Sequence, residues 1–184
     1  FSNMENFPII FLSVILIVSA VIDLRTQKIP NLITYPTMVI AFSYHGTLGG
    51  GNGLLFSLTG LSVGIDLLLL PYLLGGMGAG DAKLMGAVGA MIGAKGVFYA
   101  FLCTAIVGGI YALVLILIRR TYFNGFFKKQ MTTLWTFILT RKYIPDPIQV
   151  GKNRHRLCYG LPIALGTGLY IFLNQSGHEI FNKF

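Results

Sequence analysis

Six acidic residues occur in the 184-residue chain, Glu5, Asp23, Asp66, Asp81, Asp146 and Glu179, so each can be weighed for chemistry. Glu5 and Glu179 fall near the outer ends of the first and last apolar stretches, and Asp146 stands between two prolines; these read as solvated positions. Asp23, Asp66 and Asp81 lie within or at the lip of apolar stretches, where an ionisable group is costly unless it is paired or functional. Asp23 closes the first stretch and Asp81 opens the fourth, so alternating crossings bring both to the same face. Two carboxylates at one depth can share a proton, because like charges about 3 Å apart resist joint ionisation. Such a dyad hydrolyses a peptide bond without metal: the ionised carboxylate takes a proton from water, the neutral one hydrogen-bonds the scissile carbonyl, and the roles then exchange. The proton belongs to the pair rather than to either residue.

The flanking residues sharpen this reading. Gly75-Gly76-Met77-Gly78-Ala79-Gly80-Asp81-Ala82-Lys83-Leu84 sets glycines before an acid, where they allow positive φ and close approach of backbone or an extended substrate. Plainer roles stand beside the catalytic ones. Asp23 could be a helix-end carboxylate paired with Arg25 or Lys28, and Asp81 a helix N-cap. Lys83 could meet an aspartate, a substrate carbonyl or lipid phosphate. Pro30 and Asn31 are expected to stop one helix and start the next. Asp66, without a flanking motif, is expected to be a buried protonated carboxyl or a polar interhelical contact in preference to a catalytic group. His45, His155 and His178 show no metal-ligand spacing, and neither a metal nor a cofactor is expected. Cys103 and Cys158 fall on different stretches and are expected to pack as small apolar side chains.

The elements that must position these residues follow from composition. With 54% hydrophobic and 11% charged residues the chain cannot cover itself as a soluble domain, and its apolar residues gather into bilayer-length stretches. The expected fold is an all-α polytopic membrane bundle of about six spans, at 7–24, 32–48, 54–74, 82–94, 96–118 and 159–173. The first is expected to be retained rather than cleaved as a signal peptide. Nine of the fourteen lysines and arginines lie in 119–157, and alternation adds Arg25, Lys28 and Lys83 to the same side. That side is expected to be cytoplasmic, with both termini opposite. Within 119–157, the apolar run 131–139 could lie on anionic lipid, a better partner for this basic loop than nucleic acid. A single domain is expected over 4–184.

Asp23-Leu24-Arg25-Thr26-Gln27-Lys28-Ile29-Pro30-Asn31 resembles the first aspartate motif of the type IV prepilin peptidases, a family of GxGD membrane aspartyl proteases. Gly78-Ala79-Gly80-Asp81 with Lys83-Leu84 resembles the second, and Tyr159-Gly160-Leu161-Pro162-Ile163-Ala164 looks like the start of that family's final helix. The resemblance implies that Asp23 and Asp81 are catalytic, supported by Gly78, Gly80, Lys83, Pro30 and Asn31. It implies cleavage of the basic leader of pilin-like membrane precursors at the cytoplasmic face of the cytoplasmic membrane. The chain looks most like short forms from tight-adherence pilus systems or archaeal preflagellin peptidases, and cleavage without N-methylation is expected. The competing reading is a proton-coupled transporter with Asp23, Asp66 and Asp81 as a relay. A transporter of that kind usually carries internal repeats, and none is evident. A third reading is a structural membrane subunit.

Overall fold

The computed structural model describes residues 2–73, 77–118 and 159–175, and all regular structure among them is helical. Four helices follow in order: α1 (Ser2–Thr26), α2 (Asn31–Leu73), α3 (Ala79–Ile118) and α4 (Gly160–Gln175). Three of these contain segments long and apolar enough to cross a membrane, Phe7–Thr26, Asn31–Leu73 and Ala79–Val114. The outer surface is covered by large apolar side chains: Ile17 is 64% exposed, Leu70 68% and Phe172 66%. Water would penalise such a surface, whereas lipid chains are a matching solvent for it.

Two glycines break the long helices. Gly50 in α2 has φ 54° and ψ −131°, and Gly93 in α3 has φ 77° and ψ 174°, in the positive-φ region where a Cβ is disfavoured. The chain reverses at Gly50. The Ser57 hydroxyl lies 3.4 Å from the Ala41 carbonyl, 16 residues away, a separation that a straight helix would stretch to about 24 Å. At Gly93 the bend brings the Val97 side chain within 3.3 Å of where a Gly89 Cβ would stand. The expected stretches 32–48 and 54–74 thus fall on the two arms of α2, and 82–94 and 96–118 on those of α3. The first expected stretch lies in α1 and the last on α4.

The bundle is pinned by small residues, as expected where no hydrophobic force drives one apolar helix against another. Gly60 of α2 faces Gly89 of α3 so closely that a Cβ on either would run into the carbonyl of the other. One turn along, a Cβ at Gly64 would stand 2.5 Å from the Met85 carbonyl oxygen. Around these contacts Leu84, Met85, Val88 and Met91 fill the interior. Gly60→Val therefore lowers stability by about 3 kcal/mol, the upper range of overpacking costs. Gly109→Ala, where a Cβ meets nothing within 4 Å, leaves the thermal midpoint in detergent unchanged or slightly higher.

Two expectations are corrected here. Asp66 is exposed on the outer face of α2 rather than buried. Its neighbours Ile65 and Gly64 are the residues turned toward α3. Of the glycines before Asp81, Gly78 and Gly80 lack the positive φ allowed for there, while Gly75 and Gly76 lie outside the described residues; positive φ is found among the described residues at Gly50, Gly93 and the non-glycine Gln27. His45 is structural, its Nε2 lying 3.0 Å from the Met91 carbonyl oxygen, and Cys103 is a half-buried free thiol. The basic loop at 119–157, the apolar run 131–139, Cys158, Asp146, Glu179, His155 and His178 lie outside the described residues.

Candidate active site

Asp23 lies in the last turn of α1, three residues before its end at Thr26. The helix is closed by Gln27, whose φ of 52° turns the chain into the left-handed region, a frequent way for a helix to terminate. The Thr26 hydroxyl, 2.9 Å from the carbonyls of both Ile22 and Lys28, ties the turn down. The chain then passes through buried Ile29 and Pro30 to Asn31, the first residue of α2, so Pro30 and Asn31 do mark the expected boundary.

Asp81 is in the first turn of α3. Its backbone N–H donates to the Gly78 carbonyl at 3.1 Å, and its Oδ2 accepts the Gly78 N–H at 3.0 Å. Gly78 thus stands at the N-cap, and Asp81 is the third helical residue reaching back to it, as the acid does in a capping box. The reading of Asp81 as the N-cap itself is corrected accordingly: a carboxylate in the first turn satisfies a free N–H and faces the positive end of the helix dipole.

Gly160 opens α4, and its N–H donates to Asp23 Oδ2 at 2.8 Å. A carboxylate near the C-terminus of α1 faces the unfavourable end of that helix's dipole, and the start of α4 offsets this with its own positive end. The approach requires glycine. A Cβ at position 160 would stand 2.8 Å from Asp23 Oδ2 and 2.9 Å from Asp23 Cβ. Pro162 then occupies the first turn of α4, where its missing N–H has no helical acceptor to lose.

The two aspartates, 58 positions apart in sequence, lie at the same end of the bundle, where Gly80 beside Asp81 seats against Ile29 of the turn that follows Asp23. Both are almost fully buried, Asp23 being 3% and Asp81 6% exposed. Each is held by a backbone N–H at the start of a helix. Such a pair can deliver the general base and general acid of metal-free hydrolysis.

The supporting residues have distinct places. A Cβ at Gly80 would stand 3.0 Å from both Ile29 Cβ and the Ile29 carbonyl oxygen, so glycine lets the Ile29 turn seat on the start of α3. Gly78 is less tightly constrained: a Cβ there would stand 3.2 Å from Asp81 Oδ2. Lys83 Nζ donates to Asn31 Oδ1 at 3.0 Å and to the Tyr35 hydroxyl at 3.2 Å. Gly160, Ile29 and Tyr35 were not foreseen as site residues. For Gly160 the available signal was a glycine at the head of a proline-containing helix start; Tyr35 is recognisable only as the residue one helical turn beyond Asn31.

The model of the type IV leader peptidase family matches residues 10–113, more than half of the chain and both aspartates. Among curated proteins, the prepilin leader peptidase/N-methyltransferase of Vibrio cholerae is 32% identical over 117 residues, covering 58% of this chain and 45% of that protein. The protein of the same name from Bacillus subtilis is 30% identical over 128 residues, covering 64% of this chain and 48% of its own length. That of Xanthomonas campestris pv. campestris is 34% identical over 117 residues, covering 58% and 39%. The chain therefore spans about half the length of these relatives or less. No solved structure matches it. With its aspartates inside the matched region, the chain belongs to the type IV leader peptidase family.

Proposed function

We propose that the chain is an intramembrane aspartic endopeptidase that removes the basic leader of pilin-like precursors, without N-methylation and without a metal or other cofactor. The observation that carries this is the pair of buried aspartates at one end of the bundle, each anchored by a backbone N–H of a helix start. The names of the relatives supply the substrate class. Those names also carry methyl transfer, which is not proposed for this chain.

In this reading residues 4–184 form one membrane domain crossing six times, the reversals at Gly50 and Gly93 supporting two crossings each for α2 and α3. Asp23 and Asp81 then lie at the face shared by twelve of the fourteen lysines and arginines, which by charge bias is the cytoplasmic one. The substrate is a membrane helix with a basic leader, entering from the bilayer, and neither nucleic acid nor a soluble partner is invoked. The outward position of Asp66 argues against a proton relay through the bundle, because a relay needs its carboxyls facing a common interior path.

The test is cleavage of a pilin-like precursor in membranes containing the full chain. The parent yields a product shortened by its leader, in the presence of a metal chelator as in its absence. Asp66→Asn retains activity within about twofold, as surface substitutions away from a site do. Absence of cleavage by a folded parent sinks the peptidase reading, and loss of cleavage in Asp66→Asn would move the relay ahead.

A further inference from the structure

Lys83 stands two residues after Asp81, about 200° further around α3, and so points away from the carboxyl pair. Its ammonium has a built seat. It donates to Asn31 Oδ1 at 3.0 Å and to the Tyr35 hydroxyl at 3.2 Å, and it lies 5.1 Å from the centroid of the Tyr35 ring. Asn31 and Tyr35 are one turn apart at the start of α2, so they present one face to the incoming cation. Two charge-assisted hydrogen bonds and a ring face are a strong set for a lysine at a membrane edge, where the alternative is to reach for lipid phosphate.

The seat joins the two aspartate-bearing segments. Asn31 follows the turn that leads from Asp23 through Gln27 and Ile29, and that turn seats Ile29 on Gly80, next to Asp81. Among the described residues α1 and α3 touch only slightly, each packing more extensively on other helices. The spacing of the carboxyls therefore depends on what the start of α3 grips. Gly80 supplies a passive contact there, and Lys83 supplies directional bonds that fix the rotation of the first turn.

We propose that Lys83, with Asn31 and Tyr35, is a positioning brace that sets Asp81 against Asp23, and that the lysine touches neither substrate nor the reacting atoms. The inference rests on the assignment of Asp23 and Asp81 as the catalytic pair. In it, Lys83→Met keeps most of the length of the side chain and removes the charge and all three donors, whereas Lys83→Arg keeps donors and charge over the same ring.

The experiment measures kcat and KM for a synthetic precursor, a single membrane helix with a basic leader, in proteoliposomes of the full chain. The variants are Lys83→Met, Lys83→Arg, Tyr35→Phe and the Lys83→Met/Tyr35→Phe double, with Asp81→Asn alongside. Lys83→Met is expected to lower kcat by about tenfold or more with KM within about twofold, the pattern of a displaced catalytic group. Lys83→Arg restores kcat to within about threefold of the parent. Tyr35→Phe, which removes only the accepting hydroxyl, lowers kcat about threefold in the parent and has no effect in Lys83→Met, since coupled partners are non-additive. If Lys83→Met does not fold, the Tyr35→Phe and Lys83→Arg results still decide. Parent-level kcat in Lys83→Met, a loss confined to KM, or failure of arginine to rescue would overturn the brace while Asp81→Asn remained inactive. Activity in Asp81→Asn would instead overturn the catalytic pair beneath it.

Discussion

Asp81→Asn and Asp23→Asn, each alone, are expected to abolish precursor cleavage, with kcat falling about 10³-fold or more, within the range general acid–base groups supply. Each amide keeps the size of the side chain it replaces, and its oxygen can still accept the N–H that the carboxylate accepts, from Gly78 at position 81 and from Gly160 at position 23. The fold is therefore retained, and circular dichroism and the thermal midpoint should match the parent. What is lost is the ability to take up or release a proton. Because the two groups act as one unit, the double variant falls no further than either single one, the non-additivity of shared machinery. Asp→Glu at position 23 should not rescue, since an added methylene would press on the start of α4, already at packing distance. Two single variants that fold and still cleave at parent rates would remove this pair from the mechanism.

Gly160→Ala is expected to lower kcat about 10²-fold although the residue has no chemistry of its own, because misplacing a reacting group by about 1 Å can cost that much. The added methyl would stand 2.8 Å from Asp23 Oδ2, 2.9 Å from its Cβ and 3.0 Å from its Cγ, closer than Cβ atoms come to other heavy atoms. Either the Asp23 side chain turns away or α4 retreats, and both outcomes break the 2.8 Å bond that orients the carboxylate. Gly168→Ala is the control on the same helix, since a Cβ there meets nothing within 4 Å. It should cleave like the parent and gain slightly in helix stability. The pair of measurements separates an effect of shape at the site from any general effect of alanine in α4. If Gly160→Ala cleaves as well as Gly168→Ala, the start of α4 does not hold Asp23 in the working enzyme.

Much of this arrangement was legible in the residues because a membrane restricts what a sequence can mean. Each apolar stretch must satisfy its own backbone, so it must be a helix. Acids are costly there, so Asp23 and Asp81 stood out without any structure. The reversal at Gly50 fell between two expected stretches and that at Gly93 one residue inside the end of another, both at glycines whose missing Cβ permits the backbone to turn. Pro30-Asn31 marked the start of α2 by equally local chemistry, since proline suits a helix beginning and cannot continue the one before it.

The tertiary structure decided what depends on rotation about helix axes and on contacts between distant segments. Asp66 lies outward because the small residues Gly60 and Gly64 turn their own face of α2 to α3, and a uniformly apolar stretch carries no period from which that rotation could be read. The partners of Lys83 and Asp23, at Asn31 with Tyr35 and at Gly160, are 48 to 137 positions away, and no local pattern encodes such pairings. Sequence alone marked two acids at the ends of apolar stretches; only the tertiary structure decided which backbone N–H groups hold them and that Lys83 grips the start of α2, because those pairings depend on how distant helices pack.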